Sequence, residues 1–581
     1  MKFDYQQCWP SLVRFAAGLC IGLTAASIGA AEPLPPPKLL PTPATTRPLG
    51  HVSTSPIQNA GLSIPEDEPT DWMQDITDDS TDEGSGILLT DFADQPPAPR
   101  EFSIEDRLKE LEEQLNQQQH ENELFRNQLA EIGKKKDEKP DPKSFKASWK
   151  HQLNFESADK NFSVHLGGRT QIDTVWLQNN PTAFGGTILV PNGVGSKDAT
   201  DFRRARLRAD GTIYKTIDYV VEYDFANSVN DNAGLVGGLP GQPGTAANVI
   251  NVTAPTDGYF TFRETPIVGN VKVGLQKEPI GLEHLTSSRY LDFMERSFNQ
   301  DAYTGPNNNG FSLGASAYNN FGEDNRGMWQ TGVFKNSVNP FAYAADDGAY
   351  AFTSRLVYLL WDEDDGRQLL HIGGSYSHRD PLDNIRRIRT RGSLRNGPGA
   401  LNPVFADSAN FFTTTEDLYA AEMAMILGSF QLQSEFIAST NGNATNGGGN
   451  HGTYFTNGYY IMASYFLTGE HRAYDKKAGV FGRVIPFRNS RWCPEDCSEA
   501  GCGAWQILAR YSSLDLNDSG ITGGKVQDYT AGVNWFLNPN LKIQANYVYM
   551  DRNSPTMPGG SAPLSGVGGI HGFGMRLAHD F

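Results

Sequence analysis

Two neighbouring stretches of the chain alternate between apolar and polar side chains. In FRRARLRADGTIY, residues 202–214, one set of alternate positions is apolar or small, and the other carries Arg204, Arg206 and Arg208. The next stretch, IDYVVEYDF at 217–225, repeats the division, with acids on its polar side. Because successive side chains of a β-strand point to opposite faces, each stretch predicts a strand with one apolar and one charged face.

Two architectures explain such strands. A buried core cannot hold that many charges, so the charged face must contact water. An antiparallel sheet with one solvated face satisfies this condition. A membrane-spanning β-barrel also satisfies it, with lipid outside and a water-filled lumen inside.

Further strands favour the barrel. Alternating segments bounded by turn residues predict about sixteen strands between residues 162 and 581, an even number within the range of bacterial barrels. The predicted strands are 162–178, 200–214, 217–226, 257–264, 269–277, 310–319, 325–336, 349–361, 368–379, 415–428, 429–439, 455–468, 503–514, 526–537, 539–551 and 570–581.

The links between these strands alternate in length. Those after the first, third, fifth, ninth, eleventh and fifteenth strands are long, and those after the second, fourth, sixth, eighth, tenth and fourteenth are short. Outer-membrane barrels have short periplasmic turns and long external loops, so this parity predicts a transmembrane barrel with its N-terminus in the periplasm. One link breaks the rule, because residues 469–502 follow an even strand and are long. This segment either folds into the pore or contains a strand pair around 479–487.

The N-terminal part of the chain has a different character. Residues 1–31 combine Lys2 and Arg14 with an apolar segment and a small-residue end at Ala31, which predicts a signal peptide for export. Residues 32–100 are rich in Pro, Thr and Asp and have no hydrophobic period. This composition predicts a disordered acidic spacer.

A coiled-coil pattern occupies residues 101–133. Apolar residues recur at alternating spacings of four and three, with Gln118 and Asn122 at central positions of the same seam. The pattern predicts a short α-helical coiled coil, in which polar seam residues fix register or oligomer state. The alternative is a single amphipathic helix that lies on the barrel. Residues 134–161 are expected to be a charged linker.

Composition excludes several function classes. After the leader, no apolar run reaches the roughly 20 residues that a membrane-spanning helix needs. The net charge of −18 at pH 7 argues against nucleic acid as a partner, because phosphate binding requires a basic surface. The sequence contains neither GxSxG nor HExxH, and no phosphate-binding glycine motif, so we predict neither an enzyme nor a cofactor.

Several sequence blocks resemble the phosphate-selective porin O and P family. In chain order they are FRRARLRADGTIYKTIDYVVEYDFA, VKVGLQKEPIGLEHLTSSRYLDFMERS, GGSYSHRDP, YFLTGEHRAYDKKAGVFGRVIP, and GAWQILARYSSLDLND followed by GVNWFLNPNLKIQANYVY. They cover most of residues 162–581 and none of the acidic spacer. The resemblance implies a sixteen-stranded, trimeric outer-membrane channel whose inward loops and basic residues conduct anions.

Basic residues on the polar faces of the strands are the candidate pore residues. They are Arg169, Arg204, Arg206, Arg208, Lys272, Arg355, Arg510, Lys542 and Arg576. The link after the fifth strand contains LTSSRYLDFMERS and is, by the resemblance, the constriction loop; it adds Lys277, Arg289 and Arg296. The forked donors of arginine match phosphate and carboxylate oxygens, and several weak sites in succession let an anion enter and leave.

Two interpretations of these cations are open. Arg204, Arg206 and Arg208 either line an anion path or pair with acids of the next strand and leave a near-neutral wall. The arginines of 386–395 in a long external loop either draw anions to the mouth or bind anionic lipid. The basic run at 472–488 resembles a family motif, although such runs are commonly solvated faces.

Three cysteines remain after removal of the leader, namely Cys493, Cys497 and Cys502. An odd number in an oxidising compartment predicts one disulfide between two of them and one free thiol. A metal site is disfavoured, because the spacing matches no zinc pattern.

We therefore expect an all-β outer-membrane porin that is embedded in outer-membrane lipid, is homotrimeric and passively conducts small anions such as phosphate. Its N-terminal region is expected in the periplasm. One alternative is a non-selective general diffusion porin. Another is a structural tether that joins the outer membrane to the cell wall through the coiled coil.

Overall fold

The computed structural model of the protein describes residues 103–137, 144–178, 180, 183, 198–230, 249–305, 310–337, 339, 341–343, 345–395, 402, 404–490, 501–554 and 566–581. The chain divides into two compact units, Met1–Glu138 and Lys139–Phe581, and each is described by itself. The predicted signal peptide and acidic spacer lie outside the described residues.

Helix α1, Ile104–Asp137, occupies the predicted coiled-coil segment and continues four residues beyond it. Its apolar seam is open to solvent, since Leu108, Leu111 and Leu115 are each more than half exposed. The helix is therefore present, and its pairing into a coiled coil stays a prediction. No helix in the described ranges is long and apolar enough to cross a membrane.

The second unit contains sixteen long antiparallel strands that close into a barrel. They are β1 Phe162–Leu177, β2 Ala199–Ile213, β3 Ile217–Asp224, β4 Ala254–Thr265, β5 Gly269–Lys277, β6 Phe311–Phe321, β7 Gly327–Lys335, β8 Tyr350–Glu363, β9 Gln368–Arg379, β10 Thr415–Leu427, β11 Phe430–Asn446, β12 Gly449–Phe466, β13 Ala504–Asp518, β14 Ile521–Asn538, β15 Leu541–Ser554 and β16 Gly566–Asp580. The last strand pairs with the first, from Gly572 opposite Leu177 to Asp580 opposite Arg169, so the sheet has no open seam there. The predicted barrel of about sixteen strands is confirmed.

Shorter strands extend this sheet. Phe145–Trp149 and Leu153–Ser157 form a hairpin that pairs with the start of β1, within the segment expected to be a linker. Phe145, Ala147 and Trp149 alternate with polar residues, which is the period of a strand. Ile385–Arg386 and Phe411–Phe412 join the sheet at the other end of the barrel. The remaining pairs are Ser228–Asn230 with Val249–Asn251 and Arg389–Arg391 with Val404–Asp407.

Side chains alternate between lipid and lumen as the sequence predicts. On β2, Phe202 and Leu207 are more than half exposed on the outer surface, whereas Arg204 between them is buried inside the barrel. Tyrosine rings also follow one another around the outside, with the Tyr511 and Tyr529 centroids 5.0 Å apart on adjacent strands. Such girdles are typical of barrels at the membrane interface.

The predicted long link after the eleventh strand is wrong. Strands β11 and β12 run on to Asn446 and from Gly449, so only a two-residue turn separates them. The segment is rich in Asn and Gly, which are depleted in strands, but strand preference depends strongly on pairing partners. Here each strand supplies the other with a partner, Asn446 lying opposite Gly449.

Three links fold into the barrel and fill part of it. From the end opposite the 145–157 hairpin enter the described parts of the β5–β6 link, within residues 278–310, and of the β9–β10 link, within residues 380–414. From the end that carries the 145–157 hairpin enters the described part of the β12–β13 link, within residues 467–503, through a small hairpin of Tyr474–Asp475 and Val480–Phe481. The segment folds into the barrel, where Phe481 belongs to one apolar cluster with Leu359 and Ile426. It also contains a strand pair, which lies at 474–481 and begins before the suggested 479–487.

An apolar core lies inside the barrel along β13–β16. Inward side chains such as Val526, Val548 and Met550 pack against Leu394 and Phe405 of the β9–β10 link. The expectation of a polar lumen fails on this wall, because the links exclude water from it. The open space is thereby displaced toward the opposite wall.

Candidate functional site

A cavity of about 1350 Å³ runs between the inner wall of β1–β7 and the three inward links. Seventeen arginine and lysine side chains and eight carboxylates line it among the described residues. The surplus of cations is notable in a chain whose net charge is −18. This cavity is the candidate solute path.

Eight of the twelve basic residues selected from the sequence line the cavity: Arg169, Arg204, Arg206, Arg208, Lys272, Lys277, Arg289 and Arg296. The other four, Arg355, Arg510, Lys542 and Arg576, point into the barrel but lie away from the cavity. The structure therefore narrows the candidate set to residues on one half of the lumen.

The excluded arginines hold the inward links in place. Arg576 binds Asp173 through two hydrogen bonds of 2.6 Å and reaches Glu295 of the β5–β6 link at 2.9 Å. Arg510 donates to the Glu295 carbonyl at 3.0 Å. Arg355 binds Glu422 and donates to the Gly479 carbonyl of the small hairpin in the β12–β13 link at 2.8 Å. These guanidinium groups are engaged by partners inside the barrel, so they are not available to bind a solute.

Lys542 has the same kind of role. It donates to the Leu291 carbonyl of the β5–β6 link at 2.8 Å and is almost fully buried. Lys542 faces the inside of the barrel, as expected, but its ammonium group holds the backbone of the β5–β6 link and does not line the cavity.

The arginines of β2 are paired with carboxylates. Arg206 lies 3.0 Å from Glu222 and 2.7 Å from Asp224 on β3. Arg208 binds Asp210 of its own strand at 2.8 Å and approaches Asp257 at 3.5 Å. Both arginines are therefore paired with neighbouring acids, which is one of the two interpretations that the sequence left open. The partners of Arg208 lie on β2 and β4 and not on β3.

A cavity-lining arginine, Arg203, was missed by strict alternation. Gln171 lies opposite Arg204 and Ile172 opposite Phe202, so Arg203 is the extra residue of a β-bulge. Its guanidinium binds Glu295 through hydrogen bonds of 2.7 and 2.9 Å. Two consecutive arginines in FRRAR were the available signal, since lipid on the outer face disfavours a charge at either position.

Three other cations lack a carboxylate partner. Lys277, Arg289 and Arg296 line the cavity, and none has a carboxylate oxygen within 4 Å in the described part of the chain. Arg296 donates to the carbonyls of Glu283 and Thr286 at 2.8 and 2.6 Å. These neutral contacts orient the guanidinium, and its charge has no carboxylate in direct contact in the described part of the chain.

Lys277 and Arg289 are also held by backbone carbonyls. Lys277 Nζ donates to the His284 carbonyl at 2.5 Å. Arg289 makes a long 3.5 Å contact to the Gly168 carbonyl, and its buried Nε has no hydrogen-bond partner. Arg169 lies nearby and donates to the Ser288 hydroxyl at 2.6 Å. We call Lys277, Arg289 and Arg296 the unpaired cation cluster.

The arginines of the β9–β10 link also line the cavity. Arg391 and Arg395 bind Asp301 of the β5–β6 link, at 2.5 and 3.2 Å. Burial would raise the pKa of Asp301, but the two guanidinium groups hold it well below its usual range. Arg386 binds Glu416 at 2.9 Å, and Arg387 binds Asp407. These ion pairs fasten the β5–β6 and β9–β10 links to each other and to the barrel wall.

The basic run of the β12–β13 link is largely engaged. Arg472 is buried and binds Asp292 and the Tyr290 carbonyl, Lys476 binds Asp362, and Arg483 binds Asp580. Lys477, at the turn of the hairpin, lines the cavity. Cys502 is disulfide-bonded, whereas Cys493 and Cys497 lie outside the described residues.

A model of the family described as "Phosphate-selective porin O and P" matches residues 178–578. The chain belongs to this porin family. Porin O of Pseudomonas aeruginosa is 25% identical over 426 residues, which cover 68% of this chain and 84% of that protein. Membership places this porin in the outer membrane as a channel protein.

Solved porin structures are similar to this chain at low identity. The anion-selective porin from Comamonas acidovorans is 13% identical with a TM-score of 0.40, and the match covers 72% of this porin and 100% of that chain. The outer membrane channel DcaP of Acinetobacter baumannii is 12% identical with a TM-score of 0.41, covering 74% and 99%.

Proposed function

We propose that this porin passively conducts small anions, phosphate among them, and that the unpaired cation cluster determines its selectivity. The observation that carries the proposal is the contrast between two sets of cations on one cavity. Arg206 and Arg208 have carboxylates within 3.5 Å, whereas the side chains of Lys277, Arg289 and Arg296 have backbone carbonyls as their direct partners in the described residues.

Electrostatics makes this contrast decisive. An arginine beside a carboxylate has little net charge at a distance, so a paired wall attracts ions of either sign weakly. A cation held by carbonyls keeps its full charge, and two unit charges 4 Å apart interact by about 1 kcal/mol in water and about 4 kcal/mol at an effective dielectric constant near 20. The cluster therefore supplies the uncompensated positive field, and the inward links force a solute to pass it.

The chemistry of the cluster suits oxyanions. Arginine offers planar, forked donors and lysine a compact ammonium group, and both form charge-assisted hydrogen bonds with phosphate oxygens. Their backbone anchors pre-orient the donors, so little order is lost when an anion arrives. Because each contact is partial and exposed to water, an anion can also leave.

A salt-gradient experiment in planar bilayers tests this function. We expect the reversal potential of the purified porin in KCl to have the anion-selective sign, and phosphate to reduce chloride current at concentrations where neutral glycerol does not. The eight carboxylates on the cavity support the rival function, a general diffusion porin. A reversal potential near zero or of the cation-selective sign would establish that rival.

The remaining assignments are part of the same proposal. The porin is a homotrimer in outer-membrane lipid, with α1 in the periplasm and available to contact the cell wall. The hairpin at 145–157 supports this orientation, since it leads into β1 at the end of the barrel where the short links lie. Protease accessibility of α1 in intact cells, compared with cells whose outer membrane is permeabilised, tests it.

A further inference from the structure

Resting on the proposed anion conduction, we infer that the preferred solute is an anion that also carries hydroxyl groups, such as a phosphorylated or carboxylated polyol. The inference comes from a second group of side chains on the same cavity, Asp257, Tyr259, Lys272 and Tyr318. We call this group the polyol subsite. A bare phosphate ion has no hydroxyl-bearing body that could form hydrogen bonds with this group.

The subsite is built on three adjacent strands. Tyr259 of β4 and Tyr318 of β6 flank Lys272 of β5, whose Nζ lies 4.6 and 5.3 Å from the two ring centroids. Lys272 has no carboxylate within 4 Å in the described ranges, so the rings are its close neighbours. A cation over aromatic faces is held without being neutralised.

The subsite mixes hydrogen-bond donors and acceptors. Phenol hydroxyls both donate and accept, ammonium donates, and the Asp257 carboxylate accepts. Asp257 is only partly engaged, since the Arg208 guanidinium is 3.5 Å away. A carboxylate repels a bare oxyanion but accepts hydrogen bonds from sugar hydroxyls, so this combination fits a hydroxylated body better than a second charge.

The two groups are spaced for one molecule. Gly258, next to Asp257, lies opposite Leu275, and Tyr259 lies opposite Gly274. Lys277 of the unpaired cation cluster is three residues beyond Gly274 on the same strand, which corresponds to about 10 Å at roughly 3.3 Å per residue. A hexose phosphate spans this distance, with its phosphate on the cluster and its hydroxyls at the subsite.

Phosphate and carboxylate head groups share the required chemistry, so the experiment has an arm for each. Half-blocking concentrations for chloride current are measured with glucose 6-phosphate against ethyl phosphate, and with gluconate against hexanoate. Gluconate and hexanoate match in head group and carbon number and differ in hydroxyls, so this pair isolates the hydroxyls. Glucose 6-phosphate and ethyl phosphate match in head group and differ in hydroxyls and size, and glucose serves as the uncharged control for size.

In the native porin we expect glucose 6-phosphate to block at about five- to tenfold lower concentration than ethyl phosphate, the effect of one or two additional hydrogen bonds. The variant Asp257→Asn/Tyr259→Phe should bring this ratio close to one. Tyr318→Phe, which keeps the ring beside Lys272, should lower the ratio partially and serves if the double variant fails to fold.

Equal block by glucose 6-phosphate and ethyl phosphate, and by gluconate and hexanoate, would overturn the inference while anion conduction stands. An advantage of the hydroxylated ligand that the variants retain would also overturn it. Absence of block by every anion, together with a reversal potential that is not anion-selective, would instead remove the proposed function. The two failures are therefore distinguishable.

Discussion

Replacement of Arg289 by glutamine isolates the unpaired cation cluster with little structural damage. In the native porin its guanidinium makes one long contact of 3.5 Å, to the Gly168 carbonyl, and has no carboxylate to release. Its buried Nε has no hydrogen-bond partner. Loss of the side chain therefore removes charge from the path and leaves the barrel and the β5–β6 link intact.

The magnitude follows from what a bound phosphate loses. One charge-assisted hydrogen bond contributes about 1.5–3 kcal/mol to binding, and water that enters the vacated position offsets part of this. A net loss of about 1.5–2.5 kcal/mol corresponds to a Kd roughly 10- to 70-fold higher. Single-channel conductance should change much less, because Lys277 and Arg296 still attract chloride.

The assay is phosphate block of chloride current in planar bilayers at fixed ionic strength, since salt screens the interaction. The matched control is Arg263→Gln/Asp218→Asn, which removes an ion pair of 2.5 Å from the same cavity without changing net charge. We expect the control to shift the blocking constant by no more than about twofold, because a paired arginine contributes little field at a distance.

Two results would refute this reasoning. If phosphate blocks the Arg289→Gln channel with the same blocking constant as the native channel, the Arg289 guanidinium does not contact the anion. If the charge-neutral control weakens block as strongly as Arg289→Gln does, selectivity is spread over the paired arginines and the unpaired cations have no special role.

Three further predictions concern stability, pH and assembly. Arg576→Gln should destabilise the folded barrel by about 3–5 kcal/mol, measured as an earlier urea midpoint, because Asp173 would stay buried without its ion-pair partner and Glu295 would keep Arg203 but lose Arg576; an unchanged midpoint would contradict the anchoring role. In the variant Lys277→Gln, which leaves Arg289 and Arg296 as the cations of the cluster, anion selectivity should be constant between pH 5 and 8, since burial lowers the pKa of Arg296 only to about 10 and an arginine stays charged below its pKa; a loss of selectivity within that window would exclude Arg296 as a determinant. Deletion of residues 104–137 should lower the dissociation temperature of the trimer on semi-native gels while conductance per pore is retained; loss of envelope attachment without a change in trimer stability would favour the tether.

Strand positions and the inward set of β2 follow from alternation, because a two-residue period leaves each side chain a choice of only two faces. The facing of residues at a bulge and the partners of each side chain depend on strand register, which alternation does not predict. The bulge that turns Arg203 inward adds one residue to β2 opposite the Gln171–Ile172 step, and nothing in the composition of FRRAR indicates that Arg203 and Arg204 both face the lumen. The contact of Arg208 with Asp257 could not be predicted from alternation either, since Asp257 lies on β4, two strands away.

The roles of Arg510 and Arg576 depend on contacts that are distant in sequence. Both lie on inward faces as expected, but the β5–β6 link packs against that wall and presents Glu295 to it. Apolar residues such as Val526 and Val548 on inward faces of β14 and β15 indicate a covered wall. That signal was present in the sequence, and it identifies the half of the lumen that carries no solute.

The central claim is that unpaired cations set the selectivity of this porin. The most direct measurement is the reversal potential in a KCl gradient for the native protein and for Lys277→Gln/Arg289→Gln, which spares the backbone anchors of Arg296. The account predicts a clearly anion-selective native channel and a double variant whose reversal potential moves most of the way to zero. An anion-selective potential that the double variant retains in full would contradict it.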